Sequence, residues 1–165
     1  MKKFIILFAI LFSYFSYAQR TIPDILKKYN KNSVEYITVE ELKKDNKVLL
    51  LDTREPAEFE VSHLNNAVYV GHSKFDSKSF TVQFPDKNAP IVVYCSLGVR
   101  SENIGEKLIK LGYSNVKNLY GGIFEWKNQG YEVINNEGKI TEEVHAFSKM
   151  WGKYLIKGIK IYNKK

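Results

Sequence analysis

The stretch that decides the fold is residues 91–101, with the sequence IVVYCSLGVRS. Its start, Ile91–Tyr94, is a continuous apolar run, which is typical of a strand buried on both faces of a sheet. Between residues 104 and 111 apolar side chains recur at the spacing of one helix face, which predicts a helix beginning near Arg100. Cys95, the single cysteine of the chain, therefore lies between a buried strand and the N-terminus of a helix.

The same alternation of strands and helices continues on both sides of this segment. Further strands are predicted at residues 34–37, 48–51, 67–70 and 116–120, and further helices at residues 22–32 and 38–44 and directly after Gly121. Weaker helical or turn character marks residues 56–61 and 73–83. Such alternation predicts an α/β fold with a mostly parallel central sheet that is covered by helices on both faces. Past Thr141, the spacing of Val144, Phe147 and Trp151 predicts an additional helix that docks on the domain rather than forming an interface.

The first 18 residues have the order of a secretory signal peptide. Two lysines precede the apolar run Phe4–Phe15, and small residues occupy the positions that a signal peptidase reads. A transmembrane anchor is the alternative, but an anchor needs about 20 apolar residues, and this run is shorter. We expect cleavage after Ala18, export to the periplasm, and no stable membrane anchor afterwards.

Charge and composition restrict the partners that we expect. The formal net charge of +7 would fall to +5 on loss of Lys2 and Lys3 with the leader. A surplus of this size is compatible with attraction of small anions, and for an exported protein we expect no nucleic-acid partner. The histidines (His63, His72 and His145) share no ligand spacing with one another or with Cys95, so neither a metal site nor a cofactor is predicted.

The position of Cys95 predicts a reactive sulfur. Ligands bind at the carboxyl ends of parallel strands, where the N–H groups and partial positive charge of the next helix stabilise an anion. A thiolate there should have a pKa below the free value of about 8.5. Gly98 permits a tight turn, and Arg100 offers forked donors to an oxyanion. We therefore predict Cys95 as the nucleophile, and the alternative is a small apolar residue that ends a strand. The predicted substrate-binding residues are Ser96, Leu97, Gly98, Val99, Arg100 and Ser101.

Three other segments, together with the Cys95 loop, resemble the single-domain rhodaneses, a family of sulfurtransferases. Residues 51–59, LDTREPAEF, are similar to the family's segment around Asp-x-Arg, and residues 63–67, HLNNA, are similar to its His-Ile-x-x-Ala segment. Residues 121–126, GGIFEW, resemble its closing Gly-Gly-x-x-x-Trp motif. The four motifs occur in the family's order, and the resemblance covers residues 34–134, leaving residues 135–165 as a helical extension.

The resemblance implies a sulfur-transfer reaction without a cofactor. Cys95 would take the outer sulfur of a small anionic donor such as thiosulfate as a persulfide, and a thiol or cyanide-like acceptor would then remove it. The loop from Cys95 to Arg100 has six residues, as in the sulfur-handling members, whereas the related phosphatases and arsenate reductases have one more. A larger tetrahedral oxyanion needs a wider loop, so loop length favours sulfur chemistry.

The loop also departs from the family pattern. Many members that use thiosulfate carry further basic residues in the loop, but its interior here is uncharged. This departure leaves a small-molecule or protein-bound persulfide open as donor. It also leaves a second function open: a non-enzymatic module that binds a protein partner or delivers sulfur within a complex.

Residues outside the loop have structural alternatives too. Asp52 and Arg54 end a strand beside the predicted cleft and are expected to support the site from behind. In the simpler alternative, Arg54 pairs with Glu58 one helical turn later. His63 is predicted to hydrogen-bond a turn rather than to act as a base, and Trp126 is predicted to pack in the core.

Overall fold

The computed structural model describes residues 21–45 and 47–162, which contain a five-stranded parallel sheet with the strand order β1-β5-β4-β2-β3. Its strands are β1 (Glu35–Ile37), β2 (Leu49–Asp52), β3 (Val68–Tyr69), β4 (Ile91–Tyr94) and β5 (Val116–Leu119). The helices around it are α1 (Ile22–Tyr29), α2 (Val39–Lys44), α3 (Pro56–Val61), α4 (Ser77–Gln83), α5 (Val99–Lys110) and α6 (Gly122–Asn128). The predicted α/β class is confirmed.

Alternation along β4 separates two hydrophobic cores. Because successive side chains of a strand point to opposite faces, Val92 and Tyr94 pack into one core and Ile91 and Val93 into the other. The first core contains side chains of α1, α2 and α6, and the second contains side chains of α4 and α5. The predicted cover of helices on both faces is therefore confirmed, with β4 at the centre of the sheet.

Two details of the sheet region differ from or refine the sequence predictions. The strand predicted at residues 67–70 is not buried on both faces, because β3 is an edge strand and Tyr69 is exposed. The helix predicted at residues 38–44 is confirmed as α2, and a capping box begins it, since Thr38 accepts from the Glu41 N–H and the Glu41 carboxylate accepts from the Thr38 N–H.

The helix predicted from Thr141 onward is wrong. The chain instead forms β6 (Val133–Ile134), β7 (Ile140–Thr141), β8 (Glu143–His145), a four-residue helix α7 (Lys149–Gly152) and β9 (Ile159–Ile161). In extended backbone Val144 and Ala146 lie two residues apart and are both buried in the first core, which a helix would not allow. The spacing of Val144, Phe147 and Trp151 matches a helix face only by coincidence. Phe147 has a φ of +62°, a left-handed conformation that a right-handed helix cannot contain.

The predicted leader, residues 1–18, and its cleavage after Ala18 lie outside the described residues. Within residues 21–45 and 47–162, no helix has the length and apolar character needed to cross a membrane.

Candidate active site

Cys95 lies at the carboxyl end of β4, directly before the N-terminus of α5. Its side chain is buried, and its sulfur accepts a hydrogen bond of 3.1 Å from the N–H of Gly98. Gly98 has a φ of +103°, a backbone conformation that only glycine adopts without strain. The turn at Gly98 therefore bends the loop back, so that amide groups at the start of α5 face the Cys95 sulfur.

The surroundings of Cys95 favour its thiolate. Burial by itself opposes ionisation of the thiol. The positive charge of Arg100, together with hydrogen bonds from Ser101 and from the Gly98 N–H, outweighs burial and lowers the pKa of Cys95. A lowered pKa distinguishes a reactive cysteine from an inert buried one, so the alternative of a purely structural cysteine is disfavoured.

This pKa shift predicts the pH dependence of Cys95 alkylation. Because the thiolate is the reacting species, the rate with iodoacetamide should rise with pH around a midpoint below about 8.5, the value of a free cysteine. Ser101→Ala removes one of the contacts that lower the pKa, so the midpoint should move upward. Alkylation reactions quenched at set times and analysed by intact mass give the rate as a function of pH for both proteins. Identical midpoints in the two proteins would contradict the assignment of this stabilisation to Ser101.

Two asparagines from outside the loop hold its backbone in place. The carbonyl oxygen of Gly98 accepts hydrogen bonds of 2.8 Å from both Asn30 Nδ2 and Asn118 Nδ2. Asn118 Oδ1 in turn accepts from the Ser101 hydroxyl at 2.7 Å. Neither residue was predicted from the sequence, although Asn118 is a polar residue inside the strand predicted at residues 116–120, and that position is a usable signal.

Helix α6 holds the loop from its other side. The N–H groups of Ile123 and Phe124 donate to the carbonyl oxygens of Cys95 and Ser96, at 2.9 and 3.1 Å. Gly122 makes this approach possible, because a Cβ there would overlap the Cys95 carbonyl oxygen and lie 2.9 Å from the Ser96 backbone. The Gly-Gly motif of the sequence is therefore explained by close packing of two backbones.

Gly122→Ala should destabilise the protein by about 2–5 kcal/mol, because a left-handed residue with a Cβ costs about 1–2 kcal/mol and overpacking costs about 1–3 kcal/mol. We also expect displacement of the Cys95 loop and slower alkylation of the thiol. Gly138→Ala is the matched control, since Gly138 also has a positive φ of +75° but no atom within 4 Å of the added Cβ. Urea unfolding of both variants separates the backbone strain, which both share, from the overlap with the Cys95 loop, which only Gly122→Ala has. Equal losses of stability would contradict the overlap.

The guanidinium of Arg100 forms an ion pair with Glu58 of α3. Its two terminal nitrogens donate to the two carboxylate oxygens of Glu58 at 2.6 and 2.7 Å. The Ser96 hydroxyl donates to the same carboxylate at 2.9 Å. Burial of Glu58 opposes ionisation, but the hydrogen bonds and charge of Arg100 outweigh it and lower the pKa of Glu58. The cation predicted to hold an anionic donor is thus already partnered by a carboxylate.

Arg54 pairs with Asp52, so the alternative pairing of Arg54 with Glu58 is wrong. Both side chains are fully buried, and Arg54 donates from Nε and Nη2 to the Asp52 carboxylate, with a shortest distance of 2.6 Å. Nη2 also donates to the carbonyl oxygen of Ser62. Neither residue lines the cavity described below, and the pair instead braces the end of β2 against the end of α3.

The remaining residues that the sequence singled out occupy structural positions. His63 Nδ1 lies 3.0 Å from the carbonyl oxygen of Phe59, and the two rings stack at 3.8 Å. Trp126 is buried in the first core, as predicted, together with Phe124, and the Trp126 indole donates to the Glu132 carbonyl oxygen at 2.9 Å.

A cavity of about 210 Å³ opens onto Cys95. The predicted loop residues that line it are Cys95, Ser96, Leu97, Val99 and Arg100, whereas Gly98 and Ser101 hold the base of the loop. Its other described walls are three aromatic side chains from outside the loop, those of Tyr29, Phe147 and Trp151. Tyr29 was not predicted from the sequence, and Phe147 and Trp151 were not connected with the site, because no fixed spacing relates these segments to Cys95.

Together the parallel sheet and the cysteine loop at its carboxyl edge define an α/β protein with a thiolate site. A model of the rhodanese-like domain matches residues 37–129, which is more than half of the chain. The chain therefore belongs to the rhodanese-like family. Tyr29, Phe147 and Trp151 all lie outside the matched residues.

Individual relatives agree with this assignment. The chain is 29% identical over 94 residues to a thiosulfate sulfurtransferase GlpE of Coxiella burnetii, covering 57% of this chain and 85% of that protein. It is 35% identical over 96 residues to a tRNA uridine(34) hydroxylase of Hamiltonella defensa, covering 53% of this chain and 26% of that protein. The crystal structure of a rhodanese-related protein from Thermoplasma volcanium superposes with a TM-score of 0.54 at 28% identity, covering 61% of this chain and 97% of that one.

Proposed function

We propose that the protein is an exported sulfurtransferase in which Cys95 carries sulfur as a persulfide. The observation that carries this proposal is the lowered pKa of the Cys95 thiol at the base of an open cavity. Membership of the rhodanese-like family and similarity to proteins named sulfurtransferases support sulfur transfer as the general activity. The proposal includes a small sulfur donor and a thiol or cyanide as acceptor.

The proposed reaction has two displacement steps. The Cys95 thiolate attacks the outer sulfur of the donor, a new S–S bond forms, and the old bond to that sulfur breaks. With thiosulfate the leaving group is sulfite, which departs with the electron pair, and Cys95 becomes a persulfide. A thiolate or cyanide then attacks the outer sulfur and restores the Cys95 thiolate, so no outside oxidant or reductant takes part.

The chain's own residues prepare Cys95 for the attack. The Gly98 N–H and Ser101 stabilise the thiolate before the reaction and when it is released again. Asn30 and Asn118 position the loop without touching the sulfur.

The second candidate is a non-enzymatic module that binds a partner or delivers sulfur inside a complex. One observation favours it: Arg100, the one cationic side chain among the described residues that line the cavity, is paired with Glu58. A free inorganic dianion would therefore meet no unpartnered positive charge beside Cys95.

Intact mass spectrometry distinguishes the two candidates. Purified protein is incubated with thiosulfate or an organic persulfide, its mass is recorded, and cyanide is added while thiocyanate is measured. The enzyme gains one sulfur atom, loses it to cyanide, and repeats the cycle many times per molecule. Protein alkylated at its single cysteine is the control. Absence of sulfur uptake from every donor would overturn the sulfurtransferase and favour the binding module.

The proposed export has its own test. Expression of the full chain in a Gram-negative host, followed by cell fractionation, should place the protein in the periplasm with Gln19 as its first residue. Recovery of uncleaved protein in the cytoplasm or the membrane fraction would contradict the signal peptide.

A further inference from the structure

The wall of the cavity opposite the Cys95 loop is aromatic and comes from the two ends of the described chain. Tyr29 belongs to α1, and Phe147 and Trp151 belong to the C-terminal segment. The rings of Tyr29 and Trp151 meet edge to face at a centroid distance of 5.6 Å. The Phe147 ring lies 4.7 Å from the guanidinium carbon of Arg100, within the range of a cation–π contact.

This wall is fixed to the rest of the protein. Strands β8 and β9 pair in parallel, and Val144 and Ala146 are buried in the first core. The Ser62 hydroxyl at the end of α3 donates to the Glu143 carbonyl oxygen at 2.6 Å. The Asn128 side chain at the end of α6 contacts the backbone of Tyr154 and its neighbours. Because the C-terminal segment is anchored on α3 and α6, its aromatic rings are positioned before a substrate binds.

The charges beside Cys95 disfavour an inorganic dianion. The Arg100 charge is compensated by Glu58 at 2.6 Å, and the reactive thiolate adds a negative charge of its own. A second negative charge on the donor would be repelled by this thiolate. The volume of about 210 Å³ is below the range of about 300–1,000 Å³ that is usual for drug-sized ligands, so a small molecule fits.

We infer that the cavity selects a small organic sulfur donor, one that carries an apolar group and at most one negative charge, over thiosulfate. This inference rests on the proposed sulfurtransferase function. The apolar group packs among Tyr29, Phe147 and Trp151 while the outer sulfur reaches Cys95. With a persulfide donor R–S–SH, the Cys95 thiolate attacks the terminal sulfur and a new S–S bond forms. The S–S bond of the donor breaks, R–S⁻ leaves with the electron pair, and the proton stays on the transferred sulfur.

Three donors that differ by one property at a time test this inference. Methanethiosulfonate has a methyl group where thiosulfate has a negatively charged oxygen, and benzenethiosulfonate replaces that methyl by a phenyl ring. In each case the leaving group is the sulfinate or sulfite, and cyanide collects the sulfur as thiocyanate. We expect kcat/KM to be about tenfold lower for thiosulfate than for methanethiosulfonate. For benzenethiosulfonate we expect it to be about tenfold higher than for methanethiosulfonate.

Variants of the wall separate binding of the ring from the intrinsic reactivity of the donors. In Trp151→Ala and in Phe147→Ala, the ratio of kcat/KM for benzenethiosulfonate to that for methanethiosulfonate should fall at least about fivefold. A partly unfolded sample lowers both rates equally, so the ratio is unaffected by loss of folded protein. Met150→Ala is the matched control, because Met150 lies in the same helix α7 but points to solvent, and its ratio should equal that of the unmodified protein.

Each outcome decides the inference. Ratios that fall in the two wall variants and stay constant in Met150→Ala support it. Sulfur transfer with the same ratio in all proteins, or with thiosulfate as the best donor, overturns the inference but leaves the sulfurtransferase function intact. Transfer from none of the three donors overturns the inference, and absence of sulfur uptake from an organic persulfide as well overturns the proposed function.

Discussion

Cys95→Ser should abolish sulfur uptake and reduce the rate of thiocyanate formation at least about 1,000-fold, because removing a covalent nucleophile lowers an enzyme's rate by at least this much. The serine hydroxyl has a far higher pKa than the thiol, and an S–S bond cannot form on oxygen. The fold should persist, because a hydroxyl can still accept the hydrogen bond that Gly98 N–H makes to the sulfur. We expect a loss of unfolding free energy of about 1–2 kcal/mol, since a small buried apolar side chain becomes polar.

The control for this prediction uses the unmodified sequence. Because the chain has one cysteine, alkylation with iodoacetamide modifies Cys95 alone and should cause the same loss of turnover as the substitution. Thiocyanate formation and intact mass are measured for both proteins, and urea unfolding confirms that Cys95→Ser is folded. Sulfur uptake by Cys95→Ser at the rate of the unmodified protein would mean that sulfur is held elsewhere, and Cys95 would lose its assigned role.

The sheet and the helices around it could be predicted from local sequence patterns. The bounds of β4 were predicted to the residue, since an unbroken apolar run ends where a polar loop begins. The C-terminal segment could not be predicted in the same way, because Val144, Phe147 and Trp151 fit a helical period by chance. What decides that segment is pairing between β8 and β9 across an intervening helix, and short-range spacing carries no information about such contacts.

The same distinction between local and long-range contacts applies to the candidate site. Cys95, Gly98 and Arg100 belong to one contiguous loop, so their proximity follows from the sequence. Glu58 and Asn118 come from α3 and β5 and reach the loop only through the strand order of the sheet. The pairing of Arg100 with Glu58 therefore could not be predicted from the sequence of the loop, although it changes the expected chemistry most.

The loop can still support a thiolate although its interior is uncharged and Arg100 is paired. The Arg100 charge lowers the pKa of Cys95 from its position beside the loop although its hydrogen bonds go to Glu58. The remaining stabilisation comes from the Ser101 side chain and from N–H groups at the start of α5, which are dipoles that do not attract a free dianion as a cation would. Thiolate stabilisation and attraction of an inorganic donor are thus separated in this site.

Arg54→Met should lower the unfolding free energy by about 3–5 kcal/mol, the usual cost of leaving one member of a buried ion pair without its partner. Arg54 and Asp52 are both fully buried. Burial alone would lower the pKa of Arg54, but the Asp52 carboxylate outweighs burial and raises it, so the guanidinium stays charged. Without Arg54 the Asp52 carboxylate keeps its hydrogen bonds with the residue 54 backbone N–H at 2.9 Å and with the Tyr94 side chain, but neither replaces the lost charge.

The pair of Lys139 and Glu137 offers a matched comparison. Its shortest N···O distance is 2.7 Å, nearly the same as in the buried pair, but both side chains are about 70% exposed. Lys139→Met should therefore cost at most about 1 kcal/mol. Urea unfolding of the two Met variants measures the difference, and equal losses of stability would contradict the role assigned to burial.

A double variant tests whether the cost comes from the isolated charge or from lost packing. Asp52→Leu combined with Arg54→Met removes both charges, and buried ion pairs replaced by apolar side chains of similar volume often keep their stability. We expect the double variant to be more stable than Arg54→Met alone. In both Arg54→Met and the double variant Cys95 should alkylate more slowly than in the unmodified protein, because Arg54 holds the Ser62 carbonyl at the end of α3, the helix from which Glu58 reaches Arg100. Recovery of stability without recovery of alkylation rate would assign the Asp52–Arg54 pair to positioning of the site, whereas recovery of both would limit it to the fold.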